Sequence, residues 1–96
     1  MKRIKRLFVA VAYDIENDRK RSRVAKMLEK YGTRINYSVF ECMFTQIQFE
    51  KIRDSIAQHI DIKTDTVVYY PICLDCYTKI VYQSKPRNPP ETVLIL

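Results

Sequence analysis

Leu7-Phe-Val-Ala-Val-Ala-Tyr13-Asp14 is the stretch on which the fold turns. Up to Tyr13 it is β-branched, aromatic or apolar at every position, which predicts a central strand buried on both faces. Asp14 then breaks the run where the strand would leave the core. The polar connection Asp14-Ile-Glu-Asn-Asp18 follows, with Asp18 available to cap a helix. In Arg19–Tyr31, Val24, Met27, Leu28 and Tyr31 recur at i, i+3, i+4 and i+7, so one apolar stripe faces inward. Gly32 is expected to stop this helix.

Arg34 to Phe44 is strand-like throughout, long enough for one bent strand or a short pair. Thr45 and Gln48 match a capping box, and Phe49, Ile52, Ile56 and Ile60 mark the inner face of a second helix. Asp65–Ile72 reads as another strand and Lys79–Tyr82 as a shorter one. Ser84-Lys-Pro-Arg-Asn-Pro-Pro90 is an extended connector, and Thr92–Leu96 a bare apolar strand. The order is β-α-β(β)-α-β-β plus a tail: an α+β, ferredoxin-like βαββαβ antiparallel sheet with both helices on one face. The expected division is a domain over residues 1–83 and a tail over 84–96. Two helices cover one sheet face while several strands are apolar on both, so a two-fold homodimer is the simplest cover for the other face. The tail invites addition to another chain's sheet edge.

Ninety-six residues suit one domain, and one Gly with four Pro argues against a disordered chain. The longest apolar run is far short of the roughly 20 residues a membrane span needs, and the basic start lacks a small-residue cleavage site. A soluble, cytoplasmic protein is expected. The net charge of +6 is uneven: residues 1–34 carry 11 Lys and Arg against four acids, and residues 35–96 carry six against seven. Such concentration fits a polyanionic partner, or else a solvated surface. Three cysteines give no disulfide framework, and Cys73-Leu-Asp-Cys76 lacks the second pair of a zinc site, so free, partly buried thiols are expected.

Asp14 is either a turn residue bonding its own backbone or a carboxylate able to bind Mg²⁺, which keeps waters for nucleic-acid phosphates. In a dimer, the two Asp14 side chains could share one ion. Arg19, Lys20, Arg21 and Arg23 either grip phosphates or form a solvated face; helix starts favour acids, and a bound polyanion would offset that conflict. Tyr13, Tyr37 and Phe40 either stack on bases or pack internally. One His and one Gly leave no catalytic triad and no glycine-rich phosphate loop.

Tyr13-Asp14-Ile15, Arg19-Lys-Arg-Ser-Arg-Val-Ala25, Leu28-Glu-Lys-Tyr-Gly32 and Arg34-Ile-Asn-Tyr-Ser-Val-Phe-Glu-Cys42, in that order, strongly resemble the CRISPR-associated Cas-two (Cas2) family. The likeness runs from about residue 7 to residue 72. Asn36 departs from it, standing where Gln is usual. The resemblance implies a homodimer in spacer acquisition, a Mg²⁺-dependent endonuclease on single-stranded RNA or duplex DNA, and a partner of Cas-one (Cas1) integrase. It implies Asp14 as metal ligand, with Tyr13, Arg21, Arg23, Arg34 and Phe40 tied to activity. The expected catalytic set is therefore Asp14, Tyr13, Arg21 and Arg23, and the expected nucleic-acid set Arg19, Lys20, Arg21, Arg23, Arg34 and Phe40. A non-catalytic DNA-binding scaffold bridging Cas-one dimers, and a toxin-like ribonuclease of the same fold, are the alternatives. An RNA-recognition domain is disfavoured because its aromatic glycine signature is missing.

Overall fold

The computed structural model describes residues 5–84. In chain order the elements are β1 (Leu7–Asp14), α1 (Asp18–Glu29), β2 (Gly32–Asn36), β3 (Val39–Phe44), α2 (Gln46–Ala57), β4 (Thr66–Ile72) and a short α3 (Leu74–Thr78). The strands form one antiparallel sheet in the order β2-β3-β1-β4. The apolar run thus becomes a central strand, with Val11 opposite Phe40 on one side and Tyr69 on the other.

Alternation along β1 sends Val9, Val11 and Tyr13 to one face, where they are buried. Phe40, Cys42 and Phe44 of β3 join them there, as do Val24, Ala25 and Leu28 of α1 and Phe49, Ile52 and Ile56 of α2, in one core. Both long helices therefore share a single face of the sheet. Rings chain across this layer, from Tyr31 to Phe44 at 5.1 Å, to Phe49 at 5.6 Å and on to Tyr69 at 5.6 Å. Each fully buried large side chain contributes about 1.5–3 kcal/mol relative to exposure.

The opposite face carries Ala10 and Ala12 of β1, Val39, Glu41 and Met43 of β3, and Val68 and Tyr70 of β4, by strand register. No described helix longer than α3 covers it. At its Phe8 end the chain folds back: Tyr77 of α3 lies 4.3 Å from Phe8, ring to ring, and the Tyr82 hydroxyl donates to Glu41. This overturns the strand expected at Lys79–Tyr82. Cys73 caps the turn that becomes α3, and the Lys79 amide closes onto Cys76 O at 3.1 Å. Burial of Tyr77 then outweighs the β pattern of the residues after it.

Other boundaries shift for local reasons. Asn17, one residue before Asp18, caps α1 by accepting from the Lys20 amide at 3.0 Å. Gly32 is no helix stop: α1 ends by closing Tyr31 N onto Leu28 O, and Gly32 already pairs with Cys42 in β2. Its glycine identity comes from crowding, since a Cβ there would stand 2.0 Å from Glu41 O. The long strand-like segment is a pair, β2 and β3, irregular between Arg34 and Asn36. The capping box at Thr45 and Gln48 forms in both directions. The apolar strand expected at Thr92–Leu96 and the Pro-rich stretch after Ser84 lie outside the described residues. Among the described residues, no helix is long and apolar enough to cross a membrane.

Candidate nucleic-acid and metal site at the end of the central strand

Asp14 is the last residue of β1, opposite Thr66, and by alternation it belongs to the face away from the long helices. It is exposed, and its carboxylate makes no hydrogen bond or ion pair with another described residue. The turn reading required such a bond. Its other neighbours are locked: Ile15 is buried, and Asn17 opens α1.

Arg21 fastens this corner. Its Nη1 donates to Ile15 O at 2.9 Å and Glu16 O at 3.2 Å, and its Nη2 pairs with the Asp18 carboxylate. An arginine fork can span two carbonyls and an acid at once, which a lysine cannot. The guanidinium is therefore spent on the two residues that follow Asp14. Asp18 also places an acid in the first turn of α1, which relieves the conflict between basic residues and helix dipole.

Arg19, Lys20 and Arg23 are exposed. Arg19, Ser22, Arg23 and Lys26 line a shallow cleft of about 340 Å³ with Asp18 on the outer side of α1. Arg23 also reaches His59, its Nη1 lying 3.5 Å from Nδ1. That neighbour carried no sequence signal, because the approach of the end of α2 to α1 is purely tertiary.

Tyr13, Arg34 and Phe40 form a separate column on the helix-covered face. Tyr13 stacks on Phe40 with centroids 6.3 Å apart, and the Arg34 guanidinium lies 5.3 Å from the Phe40 centroid. Phe40 is fully buried, so direct stacking on a base is closed to it. Tyr13 is buried too, and its hydroxyl donates to Tyr37 O at 3.2 Å. Burial raises the Tyr13 phenol above its usual range, against the opposing charges of Arg34 and Arg21. Tyr13 and Phe40, expected to act directly in catalysis and in nucleic-acid contact, are thus core residues packed on each other. Successive strand residues point to opposite faces, so Tyr13 and Asp14 cannot share a site on one surface.

Among the described residues, no three His, Cys, Asp or Glu gather into a metal cluster. Cys42 is buried, but Cys73 and Cys76 are exposed rather than partly buried.

Fold and site together define a small, basic α+β protein with an exposed carboxylate at a strand end beside an arginine-rich helix. The model of the family described as CRISPR associated protein Cas2 matches residues 7–80. A Synechocystis protein named CRISPR-associated endoribonuclease Cas2 3 is 32% identical over 87 residues, 88% of this chain and 95% of that protein. The crystal structure of Streptococcus pyogenes Cas2 superposes with a TM-score of 0.72 at 30% identity, over 80% of this chain and 99% of that one. A chain of a partial Cas6-RT-Cas1–Cas2 complex superposes with a TM-score of 0.66 at 26% identity, over 80% of this chain and 84% of that one. The chain belongs to the Cas2 family.

Proposed function

We propose that this chain is an endonuclease of CRISPR adaptation that hydrolyses phosphodiester bonds of single-stranded RNA or duplex DNA, using Mg²⁺ held at Asp14. The observation that carries the reading is the exposed Asp14 carboxylate at the end of β1, which no described residue bonds and which stands four residues before the basic start of α1 in the chain. The name of the Synechocystis relative points the same way. The donor set fits the ion: Mg²⁺ takes one or two carboxylates and retains waters, so it needs no all-protein cage. One carboxylate per chain calls for a second copy. The element order and the sheet order β2-β3-β1-β4 support a ferredoxin-like plan, whose uncovered face, with Ala10, Ala12, Val39, Met43 and Val68, suits a two-fold partner.

In this mechanism Asp14 would hold the ion, jointly with Asp14 of a second copy. The chemistry such an ion supplies when bound is polarisation of a phosphoryl oxygen and a more acidic coordinated water. Arg21 keeps the backbone after Asp14 in one geometry. Arg19, Lys20, Arg23 and Lys26 attract and orient the strand through its phosphates. Asp14→Asn keeps shape and removes the charge. Cleavage of a labelled RNA and of a duplex DNA should fall to background in D14N while the circular dichroism and thermal midpoint stay at wild type. Wild-type cleavage by D14N overturns the assignment.

A scaffold role is a second reading, favoured by the likeness to a chain from a complex that contains Cas1. Its signature is Cas1 binding and spacer integration that persist in D14N, with no cleavage by the wild-type chain to lose.

A further inference from the structure

Cys73 and Cys76 are the two exposed thiols of the described chain, and they stand three residues apart across the first turn of α3. Cys73 is the cap: its Sγ accepts the Cys76 backbone N–H at 3.4 Å. Residues three apart in a helical turn have Cβ atoms about 5–6 Å apart and Cα atoms within the span that a disulfide bridges. Closing the bond therefore draws the two Cβ atoms about 1–2 Å closer through a small backbone adjustment at this exposed turn. The acid within the turn, Asp75, is paired with Lys79 at 2.9 Å, which tempers its opposition to a thiolate.

We propose that Cys73 and Cys76 form a redox-active dithiol that a low-molecular-weight disulfide converts to an intramolecular Cys73–Cys76 disulfide. The Cys73 thiolate attacks one sulfur of the small disulfide, forming a mixed disulfide and expelling one thiolate. Cys76 loses its proton to solvent and attacks the Cys73 sulfur, closing the protein disulfide and expelling the second thiolate. Two protein thiols are oxidised and one small disulfide is reduced to two thiols. The hydrogen bonds from the Cys76 amide and thiol lower Cys73 below the usual thiol range and raise Cys76, which assigns attack to the first and resolution to the second. The linkage staples the turn whose Tyr77 lies on Phe8 and whose continuation brings Tyr82 to Glu41, at one end of the open sheet face.

The test uses the full chain with Cys42→Ser, so that only these two thiols remain. It is equilibrated with mixtures of reduced and oxidised glutathione, quenched with acid, and digested with trypsin. Both cysteines fall in one tryptic peptide, Thr64 to Lys79. The expected result is that this peptide loses two hydrogens as oxidised glutathione rises, regains them with dithiothreitol, and never does so in C73S or C76S. In the reduced protein, limiting iodoacetamide should label Cys73 ahead of Cys76. Persistence of both free thiols across the series overturns the proposal. So does accumulation of glutathione adducts without closure, or of a disulfide-linked dimer on a non-reducing gel.

Discussion

Truncating Phe40 to Ala separates a packing role from a contact role, and the structure fixes the size of the effect. The ring is fully buried between Tyr13 and the Arg34 guanidinium. Removing a buried Phe leaves a cavity that costs about 3–5 kcal/mol. That is a large share of the roughly 5–15 kcal/mol that holds an ordinary domain together. With a urea slope near 2 kcal/mol per molar, the midpoint of F40A should fall by about 2 M. Phe40→Leu keeps most of the volume and should cost less than about 1.5 kcal/mol. Unfolding is followed by circular dichroism at one fixed protein concentration, because the proposed pairing of two copies would make the midpoint concentration-dependent. Binding of a fluorescent oligonucleotide is followed by anisotropy. F40L should bind as wild type does, and F40A should lose binding only where it unfolds. A roughly tenfold loss in F40L, about 1.4 kcal/mol, with its midpoint within about 0.5 M of wild type, would show that the ring contacts nucleic acid and that the buried column is misread.

Arg21→Lys cannot span Ile15 O, Glu16 O and Asp18 together, so about 1.5–3 kcal/mol of charge-assisted bonding is at stake; its kcat for cleavage should drop with KM little changed, and a change in KM alone would place Arg21 on the substrate instead. Arg19→Ala and Arg23→Ala should each flatten the slope of log affinity against log salt by about one phosphate contact, equally for all sequences; a slope identical to wild type would make that face a solvated one. Burial pushes the Cys42 thiol from 9.0 up to about 12 and the Tyr69 phenol from 10.0 up to about 12. Both are neutral when protonated, so their contribution to stability is whole below the unfolded values and is lost as pH rises toward the folded ones. The urea midpoint should therefore fall from about pH 9 upward, starting with Cys42, and Cys42→Ala should flatten the stretch between about pH 9 and 10; an unchanged slope in C42A would assign that loss to other groups.

Elements with a strong period were legible in the residues. β1 showed as an unbroken apolar run, α2 as a capping box followed by Phe49, Ile52 and Ile56, and each forms where its pattern placed it. The segment after Pro71 was not legible, because its structure is decided by a distant partner. Tyr77 finds Phe8, some 69 positions away in sequence by the numbering, and Tyr82 finds Glu41, so local β propensity lost to tertiary burial. Gly32 misled for a related reason. A glycine after a helix commonly signals a left-handed cap, yet here the demand comes from the Glu41 carbonyl of the neighbouring strand. At the site, the charge pattern located the arginines of α1 but not their division of labour. Arg21 turns inward to backbone carbonyls while Arg19 and Arg23 stay in solvent, and no spacing rule distinguishes the three.

The pair Tyr13-Asp14 shows why adjacent residues in one motif need not share a task. Strand alternation obliges them to part, the ring into the helix-covered core and the carboxylate onto the open face. Arg21 acts on the chain just beyond them, and the Tyr13–Phe40–Arg34 column holds the strand from behind. On the proposed mechanism, substitutions at Tyr13, Phe40 or Arg34 would therefore lower activity through the position of β1, and those at Asp14 through the carboxylate itself. Activity alone cannot tell the two apart. Stability can, because an exposed acid that no described residue bonds has little folding energy to lose and a buried aromatic column has several kcal/mol. A residue whose loss silences cleavage at constant stability acts at the chemistry, and by its exposure Asp14 is the member of the motif whose loss should leave stability unchanged, so cleavage by D14N is the deciding measurement.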